Sequence, residues 1–174
     1  MIMNILITVA HPDDETIGMG GTIKKLSKNN EITLCVMSDG ASAQYDDKKM
    51  IKVRQDACKK AGKILGISKF HFLNFPDMKL DSIPHVEMNK ELEKIIKKFN
   101  PKILYSTSYN DLNKDHQKVF ESCSVISRPI SSKIKQFLCF EMGGRNKTPF
   151  NPNTYVDISK ELSFKLKALN QYKT

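Results

Sequence analysis

Tryptophan is absent from this chain, arginine is confined to Arg54, Arg128 and Arg145, and the four cysteines form no C-x-x-C pair. Each scarcity excludes something. With so few arginines among 28 basic residues, the formal net charge of +9 is carried by lysines, in doublets such as Lys24-Lys25, Lys59-Lys60 and Lys97-Lys98. These doublets fall on the polar sides of amphipathic segments. No aromatic residues alternate with them, as a platform for single-stranded nucleic acid requires. The charge therefore reads as a solvated lysine surface with no nucleic-acid partner, whose field still favours anionic substrates. Cys35, Cys58, Cys123 and Cys139 lie in apolar segments, which predicts buried reduced thiols and a cytoplasmic location rather than disulfides or a thiolate metal site. Long hydrophobic runs are missing too. Nothing approaches the ~18 apolar residues of a membrane span, and the first apolar run is short and leads directly into charged residues, unlike a secretory leader.

What is present is the material of one globular domain, expected to span residues 1–174. A chain of this size buries roughly 70% of its unfolded surface, enough to cover a sheet on both faces. Strands are predicted at Ile5-Leu6-Ile7-Thr8-Val9-Ala10 and over 31–37, 69–75, 103–105 and 134–140, alternating with helices. The helix over 48–65 should bury Met50, Val53, Ala57, Ala61 and Ile64 and stop at Gly66; the helix over 86–99 should stop at Asn100-Pro101. A last helix, capped by Asp157 or Ser159, should bury Leu162, Leu166 and Leu169. Strand then helix, repeated, means an α/β fold with a mostly parallel sheet. Ligands bind beyond the carboxyl ends of such strands. Here those ends carry His11, Asp13 and Asp14, then Asp39, Asp77, the group Asp111, Asn113 and His116, and Glu141.

The chemistry concentrates in His11-Pro12-Asp13-Asp14-Glu15, directly after the first strand. Pro12 biases His11 away from the helical region and forces a turn. His11 and Asp14 can then converge on one cation, with Asp13 left facing the open side as a base. A catalytic zinc needs three protein ligands and an open position. His116, at a helix start after the fourth strand, is the best third ligand, with Asp115 beside it as a partner that orders the ligand or its loop. His71 lies within a strand, and His85 in the loop after the third strand is a weaker contender for lining the site. Two histidines and an aspartate favour Zn2+, with Fe2+ or Co2+ as substitutes. Water on such a cation would have its pKa lowered towards ~7.

With these residues in view, the chain resembles the PIG-L/LmbE-like zinc-dependent N-acetylglucosamine deacetylase family. The resemblance rests on His-Pro-Asp-Asp-Glu after the first strand and Asp-x-Asn-x-Asp-His after the fourth. It is extended by Ser38-Asp39-Gly40, Arg54, Phe75-Pro76-Asp77, Asn151-Pro152-Asn153 and Asp157-Ile158-Ser159. It implies a Rossmann-like three-layer fold and removal of acetyl from an N-acetylated amino sugar. Carried over by residue, it makes His11, Asp14 and His116 the ligands, Asp13 the general base, and Arg54 and Asp77 sugar contacts. Many members have a histidine where this chain has Asn113, an amide that can donate to an oxyanion but cannot supply a proton. Relatives usually continue beyond the region of Tyr172, so the resemblance also raises a site completed in a homo-oligomer. Two rival readings are a nucleotide-sugar-binding module of Rossmann type and a metal-binding subunit without hydrolysis. Against the first, Gly18-Met19-Gly20-Gly21 does not give G-x-G-x-x-G, and no Walker lysine follows.

Overall fold

A computed structural model describes residues 2–130, 132–144 and 146–173. The order of elements is β1 (Met3–Val9), α1 (Asp14–Leu26), β2 (Asn30–Ser38), α2 (Lys49–Leu65), β3 (Lys69–Phe75), a 3₁₀ turn (Leu80–Ser82), α3 (His85–Phe99), β4 (Ile103–Thr107), α4 (Lys114–Ile126), β5 (Gln136–Phe140) and α5 (Leu162–Leu169). The five strands form one sheet in the order β3-β2-β1-β4-β5, every neighbouring pair parallel.

Both faces of the sheet are covered, which is why its central strands read as unbroken apolar runs. Ile5, Ile7 and Val9 of β1 join Ile32, Leu34 and Val36 of β2 in one core, closed by Ile23, Cys58, Ala61, Leu65 and Ala168 from α1, α2 and α5. The alternate residues Leu6, Ala10, Cys35 and Met37 enter a second core with Met88, Leu92, Val119 and Cys123 from α3 and α4. The expected three-layer Rossmann-like α/β fold is the fold observed. Among the described residues no helix is long and apolar enough to cross a membrane.

Four expectations need correction. α2 is rolled about its axis: Val53 is 46% exposed, while Arg54, Cys58, Gly62 and Leu65 take the buried face with Ala57 and Ala61. Two contacts hold this roll, Arg54 reaching Asp13 and Gly62 accepting the ring of Phe70, which a Cβ there would meet at 2.5 Å. α5 likewise turns two of its three leucines outward, with Leu162 47% and Leu166 53% exposed, while Leu169 is half-buried and Ala168 buried. A small residue lets this helix lie close on α1 and α2. No side chain caps α5; Asp157 instead accepts the backbone N–H of Ser159 at 2.9 Å. Finally, His85 opens α3 rather than lying in a loop.

One topological feature positions the site. From β1 the chain crosses to β2 on one side, and from β4 to β5 on the other. The loops leaving these two adjacent strands diverge and open a crevice at the switch point.

Candidate active site

The β1 turn is tied by its own backbone. The N–H groups of Asp13 and Asp14 donate to the His11 carbonyl at 3.0 and 3.4 Å, and the His11 N–H donates to Asp14 Oδ2 at 2.9 Å. Pro12 packs against Gly40, which has a φ of 64° and where a Cβ would lie 2.2 Å from the proline ring. Gly40 is thus required twice, for its backbone and for its lack of a side chain. Asp14 begins α1 with its side chain turned back towards His11. Asp13 precedes it at φ 156° and makes no side-chain capping bond, so its carboxylate is free to face the crevice.

The β4 side is built from an interlocked acidic loop. Asp111 Oδ1 accepts the Asn113 N–H at 2.8 Å, and Asn113 Oδ1 caps α4 by accepting the Asp115 N–H at 2.8 Å. Both bonds set the first turn of α4, which carries Asp115 and His116.

The two loops bring three donor atoms together. His116 Nε2 lies 3.3 Å from Asp14 Oδ2 and 3.3 Å from His11 Nδ1, and His11 Nδ1 lies 3.5 Å from Asp14 Oδ2. A tetrahedral cation with bonds of ~2.0–2.1 Å needs ligand atoms about 3.3–3.4 Å apart. The residues therefore fit a small divalent cation. Carboxylates back both imidazoles: Asp111 Oδ2 lies 2.8 Å from His116 Nδ1, and Asp77 Oδ1 and Asp115 Oδ2 each lie 3.3 Å from His11 Nε2. The hydrogen-bonded Asp111 fixes the tautomer of His116, while at His11 the charge of the two carboxylates favours the proton on Nε2; each leaves the opposite nitrogen bare for a metal.

His11, Asp77 and Asp115 also lie close enough together to suit a cation. A neutral imidazole offers only one bare nitrogen, and His11 cannot serve both groups. Asp115 is moreover already the acceptor for the N–H groups of Met78 at 2.9 Å and Leu80 at 3.0 Å. The group of His11, Asp14 and His116 is the better cation site.

Electrostatics agree. Burial by itself would lower the pKa of His11, but Asp14, Asp115 and Asp77 outweigh it and raise it to about 12. At His116 burial is again outweighed, by Asp14 and Asp111, and the value rises to about 9. Asp14 is held far below the usual carboxylate range by the two histidines, against its burial. The cluster thus favours positive charge, and a cation must displace imidazole protons to enter, so its affinity rises with pH. Asp13 moves the other way: burial and the Asp14 charge raise it to about 6, with Arg54 and the histidines moderating the rise. That places a carboxylate nearer to neutrality, where a general base works best.

All eight residues singled out in the sequence meet here. His11, Asp13, Asp14, Arg54, Asp77, Asn113 and His116 line a crevice of about 350 Å³, room for one sugar-sized ligand, while Asp115 is buried behind His11. Asp77 is also buried and aimed at His11. Arg54 donates from Nη2 to Asp13 Oδ2 at 3.1 Å. Two strand-end carboxylates take no part: Asp39 accepts the N–H groups of Ala41 and Ser42, both at 2.9 Å, and Glu141 accepts Asn146 Nδ2 at 2.8 Å. The role of Asp111 was missed, although its place five residues before His116 across a loop was a usable signal. Glu15 points away into the core. Its Oε1 accepts the hydroxyls of Thr16 at 2.7 Å and Tyr172 at 2.8 Å, and burial raises its pKa to about 7.

Comparison with known proteins agrees with this geometry. Over 99% of its length the chain is 27% identical to the diacetylchitobiose deacetylase of Thermococcus kodakarensis, covering 70% of that protein. It is 30% identical to an uncharacterized deacetylase of Escherichia coli, over 98% of this chain and 90% of the other. Among solved structures, the N,N'-diacetylchitobiose deacetylase of Pyrococcus horikoshii, complexed with its inhibitor MPG, superposes with a TM-score of 0.78 at 26% identity, over 97% of this chain and 69% of that one. Residues 6–126, which contain both acidic loops, match the family described as PIG-L: GlcNAc-PI de-N-acetylase, and the chain belongs to that family.

Proposed function

We propose that this protein is a zinc-dependent deacetylase that removes acetyl from an N-acetylglucosamine-type amino sugar. The observation that carries the reading is the trio of donor atoms at 3.3, 3.3 and 3.5 Å with Asp13 beside it and outside it. His11, Asp14 and His116 hold Zn2+, for which Fe2+ or Co2+ can substitute; when bound, the cation supplies Lewis acidity at the crevice floor. Asp13 takes a proton from the attacking water as its oxygen adds to the acetyl carbon, and returns it to the amine nitrogen as the C–N bond breaks. Acetate and the free amine leave. Asp77 and Asp115 orient His11, and Asp111 orients His116. Arg54 and Asp77 line the same crevice and are the residues placed to meet the sugar hydroxyls, with Arg54 also donating to Asp13 Oδ2 at 3.1 Å.

Asn113 has two functions in this reading. Its Oδ1 accepts at the α4 cap, and its Nδ2, which otherwise contacts Met78 Sδ at 3.7 Å, is the donor for the developing oxyanion. Asn113→Ser keeps an N-cap acceptor and withdraws that donor. It should lower kcat about 10²-fold while thermal stability and metal content stay close to wild type. Equal kcat in the two proteins would leave Asn113 as a cap alone.

A nucleotide-sugar-binding module is disfavoured by the N-terminus of α1, where a phosphate would bind. Asp13 and Asp14 stand there, and their charge opposes an anion. The deciding experiment is acetate release from a panel of N-acetylglucosamine derivatives, with and without chelator. Chelator-sensitive acetate release is expected; metal retention without acetate from any derivative would favour the subunit without hydrolysis.

A further inference from the structure

Resting on the deacetylase reading, we infer that Met78 is a specificity-determining residue: with Ile17 it makes an apolar mouth above a polar floor, so the preferred substrate carries an alkyl or aryl aglycone on its amino sugar. The residues that line the crevice divide by depth. Asp14, Arg54, Asp77 and His116 are buried and make the floor polar. Among the described lining residues the exposed side chains are Ile17, Gln44 and Met78, which places these three at the opening. Ile17 is 42% and Met78 52% exposed, so the opening is mostly apolar.

Met78 is held there against its own backbone preference. Its φ is 56°, in the left-handed region that suits glycine or asparagine better than a long side chain. Asp115 fixes that conformation, its Oδ2 accepting the Met78 N–H at 2.9 Å and its Oδ1 the Leu80 N–H at 3.0 Å. The same Oδ2 lies 3.3 Å from His11 Nε2, which ties the backbone at position 78 to the geometry of the site. Nothing in that tie calls for a thioether. The side chain nevertheless reaches over Asn113, with Sδ 3.7 Å from Nδ2, and so borders the place where the acetyl group reacts. A strained residue kept at a site points to a use there, and a flexible, polarizable methionine packs on apolar groups of varied shape. A second sugar in this position would need partners for its hydroxyls. Ile17 and Met78 supply only a weak sulfur acceptor.

The test measures acetate release by the metal-loaded protein from the phenyl and methyl glycosides of N-acetylglucosamine, both anomers, in wild type, Met78→Leu, Met78→Asn and Met78→Gly. The readout is the ratio of kcat/KM for phenyl over methyl, in which any general loss of activity cancels. Wild type should prefer the phenyl glycoside about tenfold. Met78→Leu keeps an apolar side chain and should keep most of that preference. Met78→Asn and Met78→Gly suit a left-handed backbone, so folding is retained, and they should bring the ratio to within about twofold of unity. Ile17→Ala should lower it part of the way. A higher kcat/KM for N,N'-diacetylchitobiose than for the phenyl glycoside in wild type, or a ratio that Met78→Asn leaves unchanged, overturns the inference. If wild type releases no acetate from any glycoside, the deacetylase reading fails, and calorimetric binding of the same two glycosides decides the inference by the same ratio. An active wild type that treats the two alike defeats the inference alone.

Discussion

His116→Ala should leave the protein without its cation. One nitrogen of the donor trio disappears, and the two remaining donors, Asp14 Oδ2 and His11 Nδ1, are 3.5 Å apart and hold a divalent ion far less well. The substitution also strands Asp111, whose side chain is 2% exposed and sits 2.8 Å from the imidazole it supports. Asp111 Oδ1 keeps the Asn113 N–H, but a buried carboxylate oxygen left without its partner costs on the order of 1–3 kcal/mol, so a lower melting temperature should accompany the loss of metal. Elemental analysis should fall from one divalent ion per chain to almost none, and acetate release should disappear with it. Asp111→Asn should act in the same direction but less strongly, weakening metal binding about 10–100-fold, as loss of an orienting partner does. His85→Ala is the control, since His85 begins α3 and does not line the crevice. Full occupancy in His116→Ala together with loss in His85→Ala would overturn the ligand set.

Asp13→Asn separates base from ligand. The amide preserves size and leaves His11, Asp14 and His116 untouched, so the metal should stay. What is lost is the proton acceptor, and kcat should fall about 10²–10⁴-fold. Stability should fall as well, because the amide keeps an acceptor for Arg54 but removes the counter-charge of a guanidinium that is only 11% exposed. Loss of metal from this variant would instead place Asp13 among the ligands.

The sequence by itself determined every part of this protein whose cause is local. Pro12 ends β1 and starts a turn that brings His11 and Asp14, three residues apart, to one point. The runs in β1 and β2 are apolar at successive positions because both faces of the sheet are buried, and that pattern predicts a parallel sheet under two helical layers. Asn113 and Asp115 are readable as the start of a helix that presents His116. Gly66 and Asn100 end α2 and α3 in left-handed conformations, as their residue types suggest.

Only the tertiary structure decided what depends on distant segments. The bond between His11 and His116 spans 105 positions and exists because β4, not β3, pairs with β1. No local propensity encodes that choice; it follows from packing helices on both faces of one sheet with right-handed crossovers. Periodicity also misjudged which faces of α2 and α5 turn inward. An apolar stripe reports average burial, whereas one ion pair from Arg54 to Asp13 and the close fit allowed by Gly62 and Ala168 set the actual rotation. The support of His11 by Asp77 and Asp115, and of His116 by Asp111, was hidden for the same reason: a carboxylate takes on that role only when the fold sets it behind an imidazole.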